Sequence, residues 1–444
     1  MYTNTYLGQY KYICGLMAML AFLLAAGCTQ SPVPAHKPAV RISKEGKKYV
    51  LYRNDTPFIV KGAAGFTHMR QLREAGGNTV RVWDTAQLGR ILDEAHAHQL
   101  AVIAGLPMPV SSILSFYQDT AKTAAQYSAF RAVVNRYKSH PALLMWCLGN
   151  EVDFPYRPKF KPFYKAYNRL LNMIHADDPD HPVTTAVINM NHRMIYNIRW
   201  KVDGLDLISV NIFGSLRYMD RHLSKLSWAW SGPFLITEWG INGPWESDGT
   251  TAWGAPIERS SGRKAEQYLQ LYKYMPVNNP RFLGACVFFW GQKQETTHTW
   301  FSLFSDNGAS SQAVNVMQFL WTNRWPEHNA PALKEVRVDG KGAWDNILLN
   351  PATVHTAEMV FDALPGDSIR IKWELLKEDW YMKNWYEPNL KKPASFDSLL
   401  LSCEGYKVTF RAPAKTGPYR IFATVFDDKG RFAAANTPFY VVGP

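Results

Sequence analysis

Two glutamates, each placed where an apolar run stops, are the residues of this sequence best equipped for chemistry. Glu151 closes the run Trp146-Cys147-Leu148-Gly149-Asn150-Glu151, and Glu238 lies in Leu235-Ile236-Thr237-Glu238-Trp239-Gly240. A protonated carboxylic acid opposite a carboxylate is what cleavage of a glycosidic bond requires. The acid delivers a proton to the leaving oxygen, and the carboxylate attacks or stabilises the anomeric carbon. On short strand ends such a pair fits the separation of about 5–5.5 Å used for double displacement with retention. Either motif alone is weak, since a glutamate beside glycine also caps helices and forms ion pairs. Together they are specific.

The elements that would bring these glutamates together follow from the hydrophobic pattern. Short apolar runs alternate with segments of helical period between Val60 and about Asn323. The runs are Val60–Phe66, Asn78–Trp83, Ala101–Pro107, Leu143–Glu151, Val183–Ile188, Leu207–Phe213, Phe234–Trp239 and Ala285–Trp290. Eight near-continuous apolar strands with intervening helices predict a closed (β/α)8 TIM barrel. A doubly wound open sheet is the alternative, but no glycine-rich phosphate loop follows the first strand. In a barrel the fourth and seventh strands deliver Glu151 and Glu238 to the same mouth. Ahead of it, Lys48–Tyr52 and Phe58–Val60 read as a hairpin covering the barrel's bottom. Beyond Pro331 the pattern changes to short alternating segments, which predicts a C-terminal all-β sandwich of immunoglobulin-like kind. The expected organisation is a leader over 1–28, a tether over 29–45, the barrel with its hairpin over 46–328 and the sandwich over 331–444.

With those motifs assembled, the barrel resembles glycoside hydrolase clan A, especially the catalytic domain of family 2 enzymes. The resemblance rests on Val60-Lys61-Gly62, on Gly77-Asn78-Thr79-Val80-Arg81-Val82-Trp83, and on the two glutamate motifs. It implies that Glu151 is the acid/base and Glu238 the nucleophile. It also implies that Asn150 bonds the sugar 2-hydroxyl, that Arg81 lies beneath the nucleophile and keeps it ionised, and that Trp290 floors the catalytic subsite. Clan members carry a tyrosine near the end of the sixth strand that donates to the nucleophile. Here that stretch is Ser209-Val210-Asn211-Ile212-Phe213-Gly214, with Tyr218 as the substitute nearest in sequence.

Other candidates come from position on the catalytic face. Asn211 and Trp239 sit at strand ends, and the loop Gly291–Trp300 follows the eighth strand with Gln294, Glu295 and Trp300 as expected substrate contacts. Glu295 is also the rival carboxylate, and His68 is a lesser contact. The 16 tryptophans suit sugar rings, whose C–H faces stack on aromatic surfaces, although an aromatic core needs them as well. The formal net charge of +12 is spread along the chain without a nucleic-acid module. No nucleic-acid partner, cofactor or metal is implied.

Lys11 precedes an apolar run from Ile13 to Ala26, which ends in Leu24-Ala25-Ala26-Gly27-Cys28. Small residues before a cysteine resemble a bacterial lipobox, so Cys28 is expected to be lipidated and to hold the chain at a membrane of the cell envelope. Thr29 rather than Asp after it hints at the outer membrane. Cys147, Cys286 and Cys403 read as small buried hydrophobes. The expectation is a retaining β-glycoside hydrolase acting on an extracytoplasmic glycan. A transglycosylase with the same residues and a non-catalytic glycan-binding lipoprotein are the alternatives.

Overall fold

The computed structural model describes residues 38–363, 368–378 and 391–443. Cys28 and its leader lie outside the described residues, as do Trp380, Tyr381, Trp385 and Tyr386 of the 377–393 insertion. Among the described residues no helix is long and apolar enough to cross a membrane.

Strands β1 (Val40–Glu45), β2 (Lys48–Arg53) and β3 (Thr56–Phe58) form an antiparallel sheet rather than a two-stranded hairpin. The span expected to be tether therefore contributes a strand of its own. The sheet covers the barrel's bottom, because it bonds to segments that enter barrel strands. Val40 N donates to Asp180 O, Tyr49 N to Pro280 O, and Arg53 Nη2 to Pro141 O.

Eight parallel strands then close the barrel. They are β4 (Val60–Ala64), β5 (Thr79–Arg81), β6 (Ala101–Leu106), β7 (Leu143–Asn150), β8 (Val183–Ile188), β9 (Leu207–Ile212), β10 (Phe234–Trp239) and β11 (Phe282–Phe288). Their near-continuous burial explains the unbroken apolar runs: every residue of β6 and β10 is buried between helices and barrel interior. Closure needs β11 beside β4, and Gly284, at φ +124, lets the Val60 backbone lie against it.

The helices are α1 (Met69–Glu74), α2 (Leu88–Ala97), α3 (Leu114–Gln118), α4 (Thr120–Tyr137), α5 (Lys161–Asp177), α6 (His192–Lys201), α7 (Met219–Leu226), α8 (Ser261–Tyr272) and α9 (Gln312–Thr322). Helix α5 shows why the pattern works, burying Phe163, Tyr167, Leu170, Leu171 and Ile174 along one stripe. Asp119 starts α4 and Asn191 starts α6 by accepting from the first free backbone amides.

The C-terminal sandwich holds two four-stranded sheets. In order, one is β12 (Ala332–Val338), β14 (Val354–Ala363), β17 (Lys407–Arg411) and β16 (Leu400–Glu404). The other is β13 (Ile347–Leu349), β19 (Phe432–Val441), β18 (Gly417–Asp427) and β15 (Ile369–Lys377). Cys147 and Cys286 are buried as expected, but Cys403 is exposed, because it lies on edge strand β16.

The sandwich and barrel share a buried polar cluster centred on Glu258. Its carboxylate accepts from Lys264 Nζ at 2.5 Å, Thr297 Oγ1 at 2.7 Å, Thr299 Oγ1 at 2.8 Å and the sandwich residue Asn436 Nδ2 at 2.8 Å. Arg420 of β18 donates to Pro256 O at 2.8 Å and pairs with Glu378. Burial would push Glu258 upward, but the Lys264 and Arg420 charges outweigh it and hold the carboxyl below its ordinary value.

Candidate active site

A cleft of about 620 Å³ opens at the C-terminal ends of the barrel strands, and both expected glutamates line it. Strand β10 carries Glu238 inward, only 5 % exposed. Arg81, from the end of β5 and fully buried, donates through Nη1 to Glu238 Oε1 at 2.6 Å. Trp83 Nε1 donates to the same oxygen at 2.8 Å, and its ring lies over the Arg81 guanidinium at 4.5 Å. Oε2 has no hydrogen-bond partner among the described residues, so one oxygen is held and the other stays available in the cleft. Burial pushes the Glu238 carboxyl up to about 7. The Arg81 charge opposes this, while Glu151 and Glu295 add to it.

Glu151 follows β7 directly, is half-buried, and holds a left-handed backbone at φ 53. That conformation disfavours any non-glycine residue by about 1–3 kcal/mol, and its place beside a catalytic cleft is where such strain is found. Its amide is tied to Ala186 O of β8 at 3.0 Å. Asn211 Nδ2 donates to Glu151 Oε1 at 2.8 Å and to Asn150 Oδ1 at 3.1 Å, and Thr237 Oγ1 donates to Asn211 Oδ1. Arg81 Nη2 also donates to Asn150 Oδ1. A continuous path of hydrogen bonds thus joins the two carboxylates through Asn211, Asn150 and Arg81. The Asn211 amide is oriented through both its nitrogen and its oxygen, and Asn150 Oδ1 accepts from two partners.

The structure brings Arg81, Asn150, Glu151, Asn211, Glu238 and Glu295 together and leaves the other expected contacts outside. Trp290 is fully buried, donates to His68 O, and packs on Phe304 and Trp321, so it does not floor the cleft. Strand β11 ends at Phe288, two residues before Trp290, and it is Phe288 that lines the cleft. Trp239 points between helices, against Tyr268 and Tyr272 of α8. Trp300 is buried and donates to Asn242 O. Gln294 lies in a small cavity against Arg420 and Phe422, where neither amide atom has a hydrogen-bond partner among the described residues. His68 stacks on Phe304, away from the cleft lining. Tyr218 is half exposed and absent from the lining too, so it does not replace the missing tyrosine. Phe213 occupies the wall there, and the indole of Trp83 supplies a donor to Glu238 in its place.

Trp83, Ile188, Asn189, Trp245, Glu246, Phe288 and Lys293 also line the cleft, and none of them is a candidate contact from the sequence. Trp83 ends the very motif that carries Arg81. Trp245 and Glu246 follow a Gly-Pro pair on the loop after β10, a loop that had to emerge on the catalytic face. Trp245 is 52 % exposed at the mouth, with Phe213 and Phe301 behind it. Glu246 accepts from Gly214 N and Ser215 Oγ. Lys293 Nζ pairs with Glu295 at 3.4 Å, over the rings of Phe288 and Phe289.

Comparison with known proteins follows the same line. The family described as "Glycosyl hydrolases family 2, TIM barrel domain" matches residues 85–241. No curated protein matches the sequence significantly. Among solved structures, a Faecalibacterium prausnitzii β-glucuronidase is similar with a TM-score of 0.50 and 17% identity, over 64% of this chain and 52% of that one. A β-D-glucuronidase of Dictyoglomus thermophilum gives 0.51 and 17%, over 65% and 55%. A Bifidobacterium dentium β-glucuronidase complexed with coumarin-3-O-glucuronide gives 0.51 and 14%, over 65% and 50%. The chain spans about half the length of these structures, and at such identities the likeness is one of fold. By fold, by the placement of its paired carboxylates and by the family match, the barrel resembles the TIM-barrel domain of family 2 glycosyl hydrolases.

Proposed function

We propose that the chain is a β-glycoside hydrolase working by double displacement with retention. The observation that carries this reading is one cleft faced by two glutamates, Glu151 just after β7 and Glu238 on β10, with Glu238 Oε1 held by Arg81 and Trp83 and its Oε2 free to attack. Glu238 Oε2 bonds to the anomeric carbon as the glycosidic C–O bond breaks, and Glu151 gives its proton to the departing oxygen. Water then attacks the glycosyl-enzyme ester while Glu151 takes a proton from it, which restores both side chains.

The catalytic subsite suits a neutral sugar. Glu151, Glu238, Glu246 and Glu295 line it against Lys293, with Arg81 buried beneath Glu238, so a uronate there would meet an excess of like charge. The β-glucuronidase activity named for the structural relatives belongs to them. Lipidation at Cys28, which would place this activity at a membrane of the cell envelope, is part of the same proposal.

The test is turnover of a panel of aryl β-glycosides of neutral sugars by the wild type, beside Glu238→Ala with and without azide. Loss of activity in the variant, with azide yielding an α-glycosyl azide, is the expected result. A β-glycosyl azide would exchange the roles of the two glutamates. A variant as active as the wild type would remove Glu238 from the mechanism.

A further inference from the structure

A second hollow, of about 690 Å³, lies on the same face of the barrel. It begins where the catalytic cleft ends. Glu151 and Asn189 line the cleft, and Asp153 and Asn191 line the second hollow. Residues two apart have Cα atoms no more than about 7.6 Å from each other, so the two spaces adjoin along both loops. Glu151 stands at this boundary and Glu238 does not. In the proposed reaction Glu151 protonates the leaving oxygen, so the leaving portion of the substrate lies on its side.

The walls of this hollow combine two chemistries. Tyr156, 74 % exposed, and Trp200, 64 % exposed, offer open ring faces. Tyr196 continues them toward Trp228, whose ring centroid is 4.8 Å away. Aromatic faces arrayed along a surface match the C–H faces of successive sugars. Between them stand Arg157, Lys159 and Arg193, all exposed, and among the described residues none pairs with a carboxylate. Asp153 is the one acid in the lining. The hollow is also preformed. Asn197 Nδ2 holds Phe154 O at 2.7 Å, Lys201 Nζ holds Tyr156 O at 2.6 Å, and Tyr164 OH holds Pro155 O at 3.0 Å. A ligand therefore meets a loop whose backbone is already held, and only the exposed cationic side chains have to be ordered.

We infer that this hollow receives the leaving portion of the substrate, and that this portion is an anionic glycan chain carrying carboxylate or sulfate groups. The inference rests on the hydrolase reading for the direction of the chain. Neutral sugar at the cleft and anionic sugars beyond Glu151 together describe a heteropolymer, since one uniform charge would not suit both spaces.

The test is direct binding, measured by calorimetry on the slowed Glu238→Gln protein. The probes are a β-linked hexasaccharide alternating neutral sugar and uronate, and the same hexasaccharide with its carboxyls reduced to alcohols. The acidic probe is expected to bind about tenfold or more tightly, with a preference that shrinks as salt rises. Arg157→Glu with Arg193→Glu abolishes the preference. Trp200→Ala weakens both probes alike, which separates stacking from charge. Equal affinity for the two probes, no binding of either, or indifference to the arginine changes overturns the inference. Arginine-dependent binding to phosphatidylglycerol vesicles without glycan binding overturns it in favour of a membrane contact. Failure of the hydrolase reading shows elsewhere, as absent turnover of aryl β-glycosides by the wild type, and leaves these affinities as they stand.

Discussion

Replacing Trp83 by phenylalanine removes the indole N–H from the cleft while keeping a smaller aromatic ring in the wall. The phenyl ring keeps an aromatic face over Arg81, but Glu238 Oε1 loses the indole donor that lies at 2.8 Å. A hydrogen bond to a charged partner contributes about 1.5–3 kcal/mol. At about 1.36 kcal/mol per pKa unit, that is roughly one to two units. The bond favours the ionised carboxylate, so its loss raises the Glu238 pKa further from about 7. The nucleophile must be ionised, and the acid limb of kcat/KM moves up by the same one to two units. The assay is kcat/KM against pH on a dinitrophenyl β-glycoside, whose leaving group needs no proton, so that the acid limb reports Glu238. At pH 6, below both values, activity falls about 10- to 100-fold, and the gap narrows as pH rises. Glu295→Gln removes a like charge and shifts the same limb downward. An acid limb that stays in place in Trp83→Phe would refute the argument, whatever happens to the maximal rate.

Glu238→Gln should stabilise the fold above neutrality. Folding raises the Glu238 pKa from 4.5 to about 7, so between these values the folded state holds more protons and stability falls as pH rises. Urea denaturation should find the variant more stable by up to roughly 3 kcal/mol at pH 8 and no different at pH 4; an equal gain at both would sink the idea. Glu258→Gln leaves the buried Lys264 ammonium unpaired, and breaking such a pair costs about 3–5 kcal/mol. Unfolding followed by tryptophan fluorescence would show it, and a loss under about 1 kcal/mol would contradict the role assigned to this cluster. Metabolic labelling with palmitate should mark the wild type and spare Cys28→Ser; equal labelling would remove the lipobox reading.

The barrel was legible because parallel strands buried on both faces leave an unbroken apolar record, and seven of its strands begin and end within two residues of the expected runs. The eighth runs Phe282–Phe288, two to three residues ahead of the expected run, and takes in Gly284, the point of closest approach at the closing seam. That shift also explains the misplacement of Trp290, a tryptophan past the strand rather than at its tip. Strand-end position located Glu151, Glu238, Arg81, Asn150 and Asn211, since backbone register determines where such residues emerge. It could not decide which tryptophans face the cleft. Trp239 turns onto Tyr268 and Tyr272 and the Trp300 indole donates inward to Asn242 O, while Trp83 and Trp245 lie along the cleft against Phe289 and Phe301. In the sandwich, β13 spans only three residues, β16 is short and ends in Ser-Cys-Glu, and the alanines of β19 carry little strand signal, so these strands do not stand out in the sequence.

The Glu258 cluster makes the sandwich a buttress for the cleft. Thr297 and Thr299 bond to Glu258, Asn436 bonds to it from the other side, and Glu295 and Lys293 sit on the same loop two and four residues before Thr297. Rigidity borrowed in this way is reciprocal: whatever steadies the loop from the cleft also steadies the strands behind it. A sugar resting against Glu295 should therefore slow amide exchange in β19, far from any atom it touches. Changes on the inner strands of the sandwich, such as Asn436→Ala, are then expected to register at the barrel mouth as well.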